Sequence, residues 1–503
     1  EPGVSAAANL KKCIMRGICM KKFDSKLLWL VLVIGTVTCL FSSSTSNVAL
    51  FAFVWPLCFV LFNRHFSKKC LGTVISFLAY CVVINIKFYN ALGTGILTVA
   101  LTVNTIYAVI TYLPFILDRI LYGKINGKLG ILVLPLAVAA VELFISLINF
   151  TMMENLAYTQ TANLVFIQIA DIIGTFGLSA FIAAFSTVAA YAIEKGFVWA
   201  DVKKPVVIYL VLILIVNVYG GVKLAANDDY GKESVKVAMA LGPELELVDG
   251  EWVNVSYDKN VASLKKTFAE AVGLGAEIVA YNEEAFCVAD VERNDLIAEI
   301  KELAEENNVF ALVPIETYST EDGLGTNGLV FISNEGEILA DYEKSFLVPV
   351  IETSYYVKGD GKLPVVEINV NGKPVKVAMD ICYDGDFSQY IRTMDNDVDI
   401  WFEPCWEWEP VYQYHTTGHF LRVVENGVNM VKPTYEGFSY ITDKVGNITL
   451  QSSYGAEKVV VGDVFIDHQV TVYGAIGGVL NYVYVAALIA VIVIGLRKKE
   501  ERG

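Results

Sequence analysis

At 503 residues, 55% hydrophobic and 18% charged, the chain is too apolar for an ordinary soluble enzyme and calls for several membrane spans. Its formal net charge of −16 is concentrated in one block, residues 226–473, which holds 17 basic and 44 acidic residues. So acidic a block excludes nucleic-acid binding and electrostatic adhesion to anionic lipid. It reads as a globular domain large enough to bury its own core.

Taken in chain order, residues 1–19 are set aside as a non-native extension, with Met20-Lys21-Lys22 as the natural start. Residues 1–26 form an N-terminal segment. Seven apolar runs follow within 27–225, at 27–41, 48–62, 70–88, 94–117, 130–148, 175–193 and 206–225; an eighth lies at 474–496, before a tail at 497–503. The first two are short for a bilayer core of about 30 Å, which takes about 20 helical residues. They are expected to be a hairpin around the serine-rich turn 42–47.

The basic residues orient the spans. Lys and Arg cluster before span one and after spans two, four, six and eight, whereas loops 42–47, 89–93 and 149–174 carry none. This positive-inside pattern predicts cytoplasmic termini and an extracytoplasmic block 226–473. Glu142 and Glu154, near the external end of span five, are candidate functional acids or interfacial residues.

The block alternates strand and helix patterns. Strands are expected at 235–240, 276–282, 309–313, 327–332 and 337–342, and amphipathic helices at 258–273 and 291–306. Asn334-Glu335-Gly336 turns a hairpin. Three chemically active residues stand at strand ends: Glu283, Lys344 and Cys382. A carboxylate, an ammonium and a thiol can supply a base, an oxyanion partner and a nucleophile. Glu283 is expected to be desolvated so that its pKa rises toward the working pH.

Of nine cysteines, Cys287, Cys382 and Cys405 fall in the block, leaving at least one unpaired and a Cys287–Cys405 bridge open. With no CxxC and no His-rich cluster, no metal and no cofactor are expected. A Cys–His dyad with His415 or His419 is the minor alternative. The aromatic residues Trp401, Phe402, Trp406, Trp408 and Tyr412 are either packed core or a mobile pocket rim.

Three segments carry a resemblance. Tyr281-Asn282-Glu283-Glu284-Ala285, Tyr342-Glu343-Lys344-Ser345-Phe346-Leu347-Val348-Pro349 and Ile381-Cys382-Tyr383-Asp384 resemble, in order, the Glu, Lys and Cys segments of the carbon–nitrogen hydrolase (nitrilase) superfamily. With the spans, the whole is most similar to the apolipoprotein N-acyltransferase family. Asn155–Gln160, Gln168–Asp171, Gly174–Gly177, Arg422–Gly427 and Gly437–Ser439 agree with it, and Glu352 matches an additional glutamate. Asn282 replaces a proline, Asp384 a frequent glutamate, and Phe402-Glu403-Pro404-Cys405 the usual Ser-Asn-Asp stretch.

The resemblance implies an α-helical membrane bundle plus an α/β nitrilase-like αββα sandwich. Cys382 would be the nucleophile, Glu283 the base and Lys344 the oxyanion partner, aided by the Tyr383 N–H. Glu352 would orient Lys344 or the amine, and Trp401 and Trp406 would support substrate binding. The implied reaction moves an acyl chain from a phospholipid, through a Cys382 thioester, to the α-amino group of a diacylglyceryl-cysteine lipoprotein. It would be catalysed by a monomer in the bacterial cytoplasmic membrane, with no nucleic-acid partner. Membrane-tethered amidase or nitrilase activity on a small substrate is the alternative, and a non-catalytic ectodomain a third class.

Overall fold

The computed structural model describes residues 24–42, 47–89, 97–125, 127–150, 155–228, 231–244, 246–248, 251–321, 323–408, 411–455 and 458–500. Glu154, Cys13 and Cys19 lie outside them, as does most of the turn 42–47.

Apolar helices stand where the sequence places all eight runs. They are α1 (Ser25–Leu40), α2 (Phe51–His65), α3 (Lys69–Phe88), α4 (Leu97–Leu121), α5 (Val133–Leu147), α6 (Ala170–Glu194), α7 (Trp199–Ala226) and, at the far end of the chain, α11 (Val472–Glu500). Among the described residues six spans are long and apolar enough to cross a membrane, α5 only together with the helical turn before it (Lys128–Leu147); α1 and α2 fall short. At 1.5 Å per residue, the 15 residues of α2 reach only about 23 Å. Outward faces of α1, α3, α4, α7 and α11 expose rows of Leu, Ile and Val, a surface that only lipid would solvate cheaply. Inside the bundle, aromatic rings of α2, α3 and α4 interlock. Arg64 makes a two-pronged bond to Asp118, at 2.8 and 2.7 Å. Glu142 is buried in the bundle on α5.

Residues 234–465 form two stacked sheets. The first contains β1 (Ser234–Ala240), β2 (Ile278–Tyr281), β3 (Phe286–Ala289), β4 (Phe310–Tyr318), β5 (Thr326–Ile332) and β6 (Ile338–Glu343), closed by β13 (Val459–Phe465). Its order is β13-β1-β2-β4-β5-β6, with β3 also on β4. The second contains β7 (Val365–Val370), β8 (Lys373–Met379), β9 (Ile400–Phe402), β10 (Asn429–Lys432), β11 (Tyr440–Thr442) and β12 (Ile448–Gln451), in the order β12-β11-β10-β9-β8-β7.

The period-2 alternation of side chains assigns each face. Val235, Val237 and Met239 of β1 meet Val375, Val377 and Met379 of β8 between the sheets. Ala238 and Ala240 point the other way, to α8 (Tyr257–Gly273) and α9 (Arg293–Asn307). The small alanines let those helices sit close. On the outer side of the second sheet lies α10 (Tyr412–Asn426). This is the αββα sandwich the sequence implies.

One helix joins the two parts. Leu421 and Val424 of α10 belong to the apolar cluster of the membrane bundle. Beside them, Glu425 Oε1 accepts from the Thr175 backbone N–H of α6 at 2.6 Å, and Arg422 donates to Thr175 Oγ1 at 2.8 Å.

Candidate active site

The three strands predicted to end in reactive residues do so at one end of the sandwich. Glu283 follows β2, Lys344 follows β6, and Cys382 stands three residues after β8. Parallel pairing of β2 with β4 and antiparallel pairing of β5 with β6 put Glu283 beside Lys344. Lys344 Nζ is fully buried and lies 2.6 Å from Glu283 Oε1 and 2.6 Å from Glu352 Oε1. Asn327 Nδ2 donates to Glu283 Oε1 at 2.9 Å, and the Trp406 backbone N–H donates to Glu283 Oε2 at 2.8 Å. The Val348 N–H holds the other oxygen of Glu352 at 2.7 Å.

Cys382 occupies a left-handed conformation, φ 51°, which a non-glycine residue adopts at a cost of about 1–3 kcal/mol. The Cys382 N–H donates to Pro404 O at 3.0 Å, and the thiol lies 3.8 Å from Trp406 O. Asp384 clamps this turn to the lysine segment. Its carboxylate accepts from the N–H groups of Phe346 (2.6 Å), Ile381 (3.2 Å) and Ser345 (3.4 Å), and from the Tyr342 hydroxyl (2.6 Å). Burial pushes Asp384 up to about 7 against the pull of these donors.

The electrostatics correct one expectation. Burial pushes the Glu283 carboxyl up, but the Lys344 ammonium and the bonds from Lys344, Cys382 and Asn327 outweigh it and hold it below its ordinary range. Burial likewise disfavours charge on Lys344, yet Glu283 and Glu352 hold its pKa well above the ordinary value. Glu352 is the member pushed up, by burial first and by the charge of Glu283, with Lys344 pulling it back. The Cys382 thiol is raised well above the ordinary value by burial, by Cys405 and by the Glu283 charge. The resting site is therefore a protonated thiol beside an ionised carboxylate, with the ammonium already in place.

Other readings change. Trp401 is fully buried in β9 and donates to Asp380 at 2.9 Å, so it is core rather than rim. Phe402 is core as well. Trp406 is half-buried, at the wall of a narrow cleft shared with Asn282, Glu284 and Glu316. Tyr383 is buried and packs edge-on to Phe387. Asn282 does more than replace a proline: its side chain bonds the Gly242 N–H and Glu283 O, at 2.9 and 2.7 Å.

The Cys287–Cys405 bridge does not form, and neither cysteine is in a disulfide. Cys405 Sγ instead accepts from Lys432 Nζ at 2.7 Å, while Cys287 faces Asn254 at 2.8 Å. His415 comes within 4.8 Å of the Cys382 and Cys405 sulfurs, but both of its nitrogens face carboxylates. Asn327, Cys405, Glu407 and Lys432 were not singled out by the sequence for the site. Each lies far from the triad in sequence and is brought in by strand pairing.

Residues 17–188 match the apolipoprotein N-acyltransferase N-terminal domain family, and residues 244–468 match the carbon–nitrogen hydrolase family. An apolipoprotein N-acyltransferase from Geobacter metallireducens is 27% identical over 377 residues, 69% of this chain and 70% of that protein. One from Rickettsia prowazekii is 23% identical over 58% of this chain and 61% of its own length. Apolipoprotein N-acyltransferase 2 from Treponema denticola is 23% identical over 62% and 66%. Among solved structures, an amidase from Nesterenkonia sp. aligns at 16% identity and TM-score 0.40, over 48% of this chain and 94% of that one. With the N-terminal family domain and the hydrolase domain in one chain, the protein belongs to the apolipoprotein N-acyltransferase family of the carbon–nitrogen hydrolase superfamily.

Proposed function

We propose that the chain transfers an acyl group from a phospholipid to the amino terminus of a diacylglyceryl-cysteine lipoprotein, with Cys382, Glu283 and Lys344 as the catalytic residues. The observation that carries this is the buried junction of Lys344 with Glu283, 2.6 Å apart, beside the Cys382 thiol in a strained left-handed turn. In the first step Cys382 Sγ attacks the ester carbonyl as Glu283 takes the thiol proton. The Lys344 ammonium and the Tyr383 N–H receive the charge that develops on the carbonyl oxygen. The lysophospholipid alkoxide leaves with the proton from Glu283, and a thioester remains. In the second step a neutral amine attacks the thioester, again losing its proton to Glu283, and the thiol departs.

Glu352 holds Lys344 on the side opposite Glu283. With two carboxylates on one ammonium, Lys344 stays charged and acts as an electrophile rather than a base. Residues 27–225 and 474–496 are the membrane part, and 226–473 the catalytic domain. The positive-inside pattern supports an extracytoplasmic position for that domain, in a bacterial cytoplasmic membrane. An amine outcompetes water only where the site is dry, and burial of all three reactive side chains supports such a site.

Mass spectrometry after incubation with a defined phospholipid tests the reading. An acyl adduct on Cys382, discharged by a diacylglyceryl-cysteine peptide, is expected. No adduct, with ammonia released from small amides, would replace it with the hydrolase alternative.

A further inference from the structure

A second group of buried polar side chains lies on the other side of the Cys382 loop. His415 and His419 are one helical turn apart on α10, with ring centroids 4.3 Å from each other. Asp386 ends the short turn Cys382–Asp386, and Glu403 follows β9. Asp386, Glu403, Glu407, His415 and His419 are all buried.

Each imidazole meets a carboxylate at Nδ1. His415 Nδ1 is 3.0 Å from Glu407 Oε1, and His419 Nδ1 is 2.7 Å from Glu403 Oε1. Both Nε2 atoms then turn to Asp386, His415 at 3.7 Å and His419 at 3.6 Å. Those separations are too long for hydrogen bonds. His419 Nε2, Asp386 Oδ2 and both oxygens of Glu403 have no hydrogen-bond partner, although buried polar atoms normally find one. The separations do suit two ligands on one ion: with metal–ligand bonds of about 2.0–2.1 Å, tetrahedral ligand atoms stand roughly 3.3 Å apart. Donor atoms of Asp386, His415 and His419 all lie within 4.8 Å of one another.

One further observation agrees. A Cβ on Gly385 would come within 2.0 Å of Glu403 Oε1 and 3.0 Å of His419 Nε2, so the loop backbone passes the cluster at a distance that glycine permits.

We propose that Asp386, His415 and His419 bind one divalent transition-metal ion, with zinc the best match to the donors. Glu407 on His415 Nδ1 is the arrangement that fixes Nε2 as the ligating atom of a metal-bound histidine, whereas both nitrogens of His419 are without a hydrogen bond. Glu403 and Cys405, which form a similar group with His419, are the candidates for a fourth ligand. This revises the expectation of no metal. His415-x3-His419 supplies two ligands, and the third comes from a different element. The ion would tie the end of the nucleophile turn to α10, the helix that docks on the membrane bundle. It would position Cys382 without touching substrate, and the inference stands apart from the acyl-transfer reading.

The test uses the full chain in detergent, purified from zinc-supplemented cells. Elemental mass spectrometry is expected to find about one zinc per chain that survives gel filtration. Removing it with a strong chelator should lower the thermal midpoint, and cobalt(II) should then restore it with the visible absorption of a four-coordinate site. His419→Gln and Asp386→Asn should each lose both the metal and the cobalt spectrum. Wild-type protein with under about a tenth of an equivalent of metal and no cobalt uptake overturns the proposal. So does metal that both variants retain in full. The wild-type cobalt titration decides the question even where a variant fails to fold.

Discussion

Two buried polar clusters flank Cys382, and they differ in how completely their polar atoms find partners. On one side, Glu283, Lys344 and Glu352 form a chain of contacts at 2.6 Å, and backbone or amide donors complete both carboxylates. On the other, Asp386, Glu403, His415 and His419 approach one another but leave nitrogen and oxygen atoms unmatched. Buried ions are tolerated when their partners are all present. The first cluster contains its own counter-charges and works as a fixed electrostatic device. The second holds the unmatched atoms that the proposed ion would join.

Variants on each side sharpen that contrast. The largest effect is expected at the residue between the clusters: Cys382→Ala should abolish acyl transfer and the acyl adduct, with unchanged circular dichroism. Lys344→Met leaves Glu283 and Glu352 without their ammonium. It should cost about 3–5 kcal/mol of stability, read as a lower thermal midpoint, and lower kcat at least about 100-fold. Glu352→Gln keeps the Lys344–Glu283 pair and should cost less, about tenfold in kcat. A loss equal to that of Lys344→Met would show that the trio acts as one unit.

The protonation states predict a pH dependence. Cys382 is raised well above its ordinary value, by burial first, so its thiolate fraction keeps growing through neutral and mildly alkaline pH. Its alkylation by a neutral haloacetamide, followed by mass spectrometry, should rise about tenfold per pH unit without a plateau up to about pH 9. A plateau near neutrality would mean a preformed thiolate and would reverse the roles drawn for Glu283. The smallest effect is expected at Trp401, whose ring stands edge-on to His419, with centroids 6.2 Å apart. Trp401→Phe removes the donor to buried Asp380 and should cost about 1–3 kcal/mol of stability while leaving KM for phospholipid unchanged. A raised KM would return Trp401 to the substrate pocket.

Much of the site was legible because local pattern carried it. Glu283, Lys344 and Cys382 each end a strand-like run, and the flanking segments resemble known ones in order and spacing. Glu352 and Asp384 came with those segments. What failed was anything set by environment. The Glu283 pKa was expected to rise from burial, but a 2.6 Å ammonium outweighs desolvation. Trp401 and Trp406, five residues apart, read alike in sequence, yet one is strand core and the other lends its backbone N–H to Glu283.

By itself the sequence determined the apolar helices and the α/β character of the acidic block, and it marked the three candidate reactive residues. These depend on periodicity, composition and short motifs, which are local properties of a chain. Tertiary structure alone decided how the strands order into two sheets, that α10 joins the sandwich to the bundle, and that Cys405 faces Lys432 rather than Cys287. It also gathered Asp386 and Glu403 against His415 and His419. Those outcomes depend on contacts between distant segments, and the electrostatics of a buried group follow from whatever the fold places within a few ångströms of it.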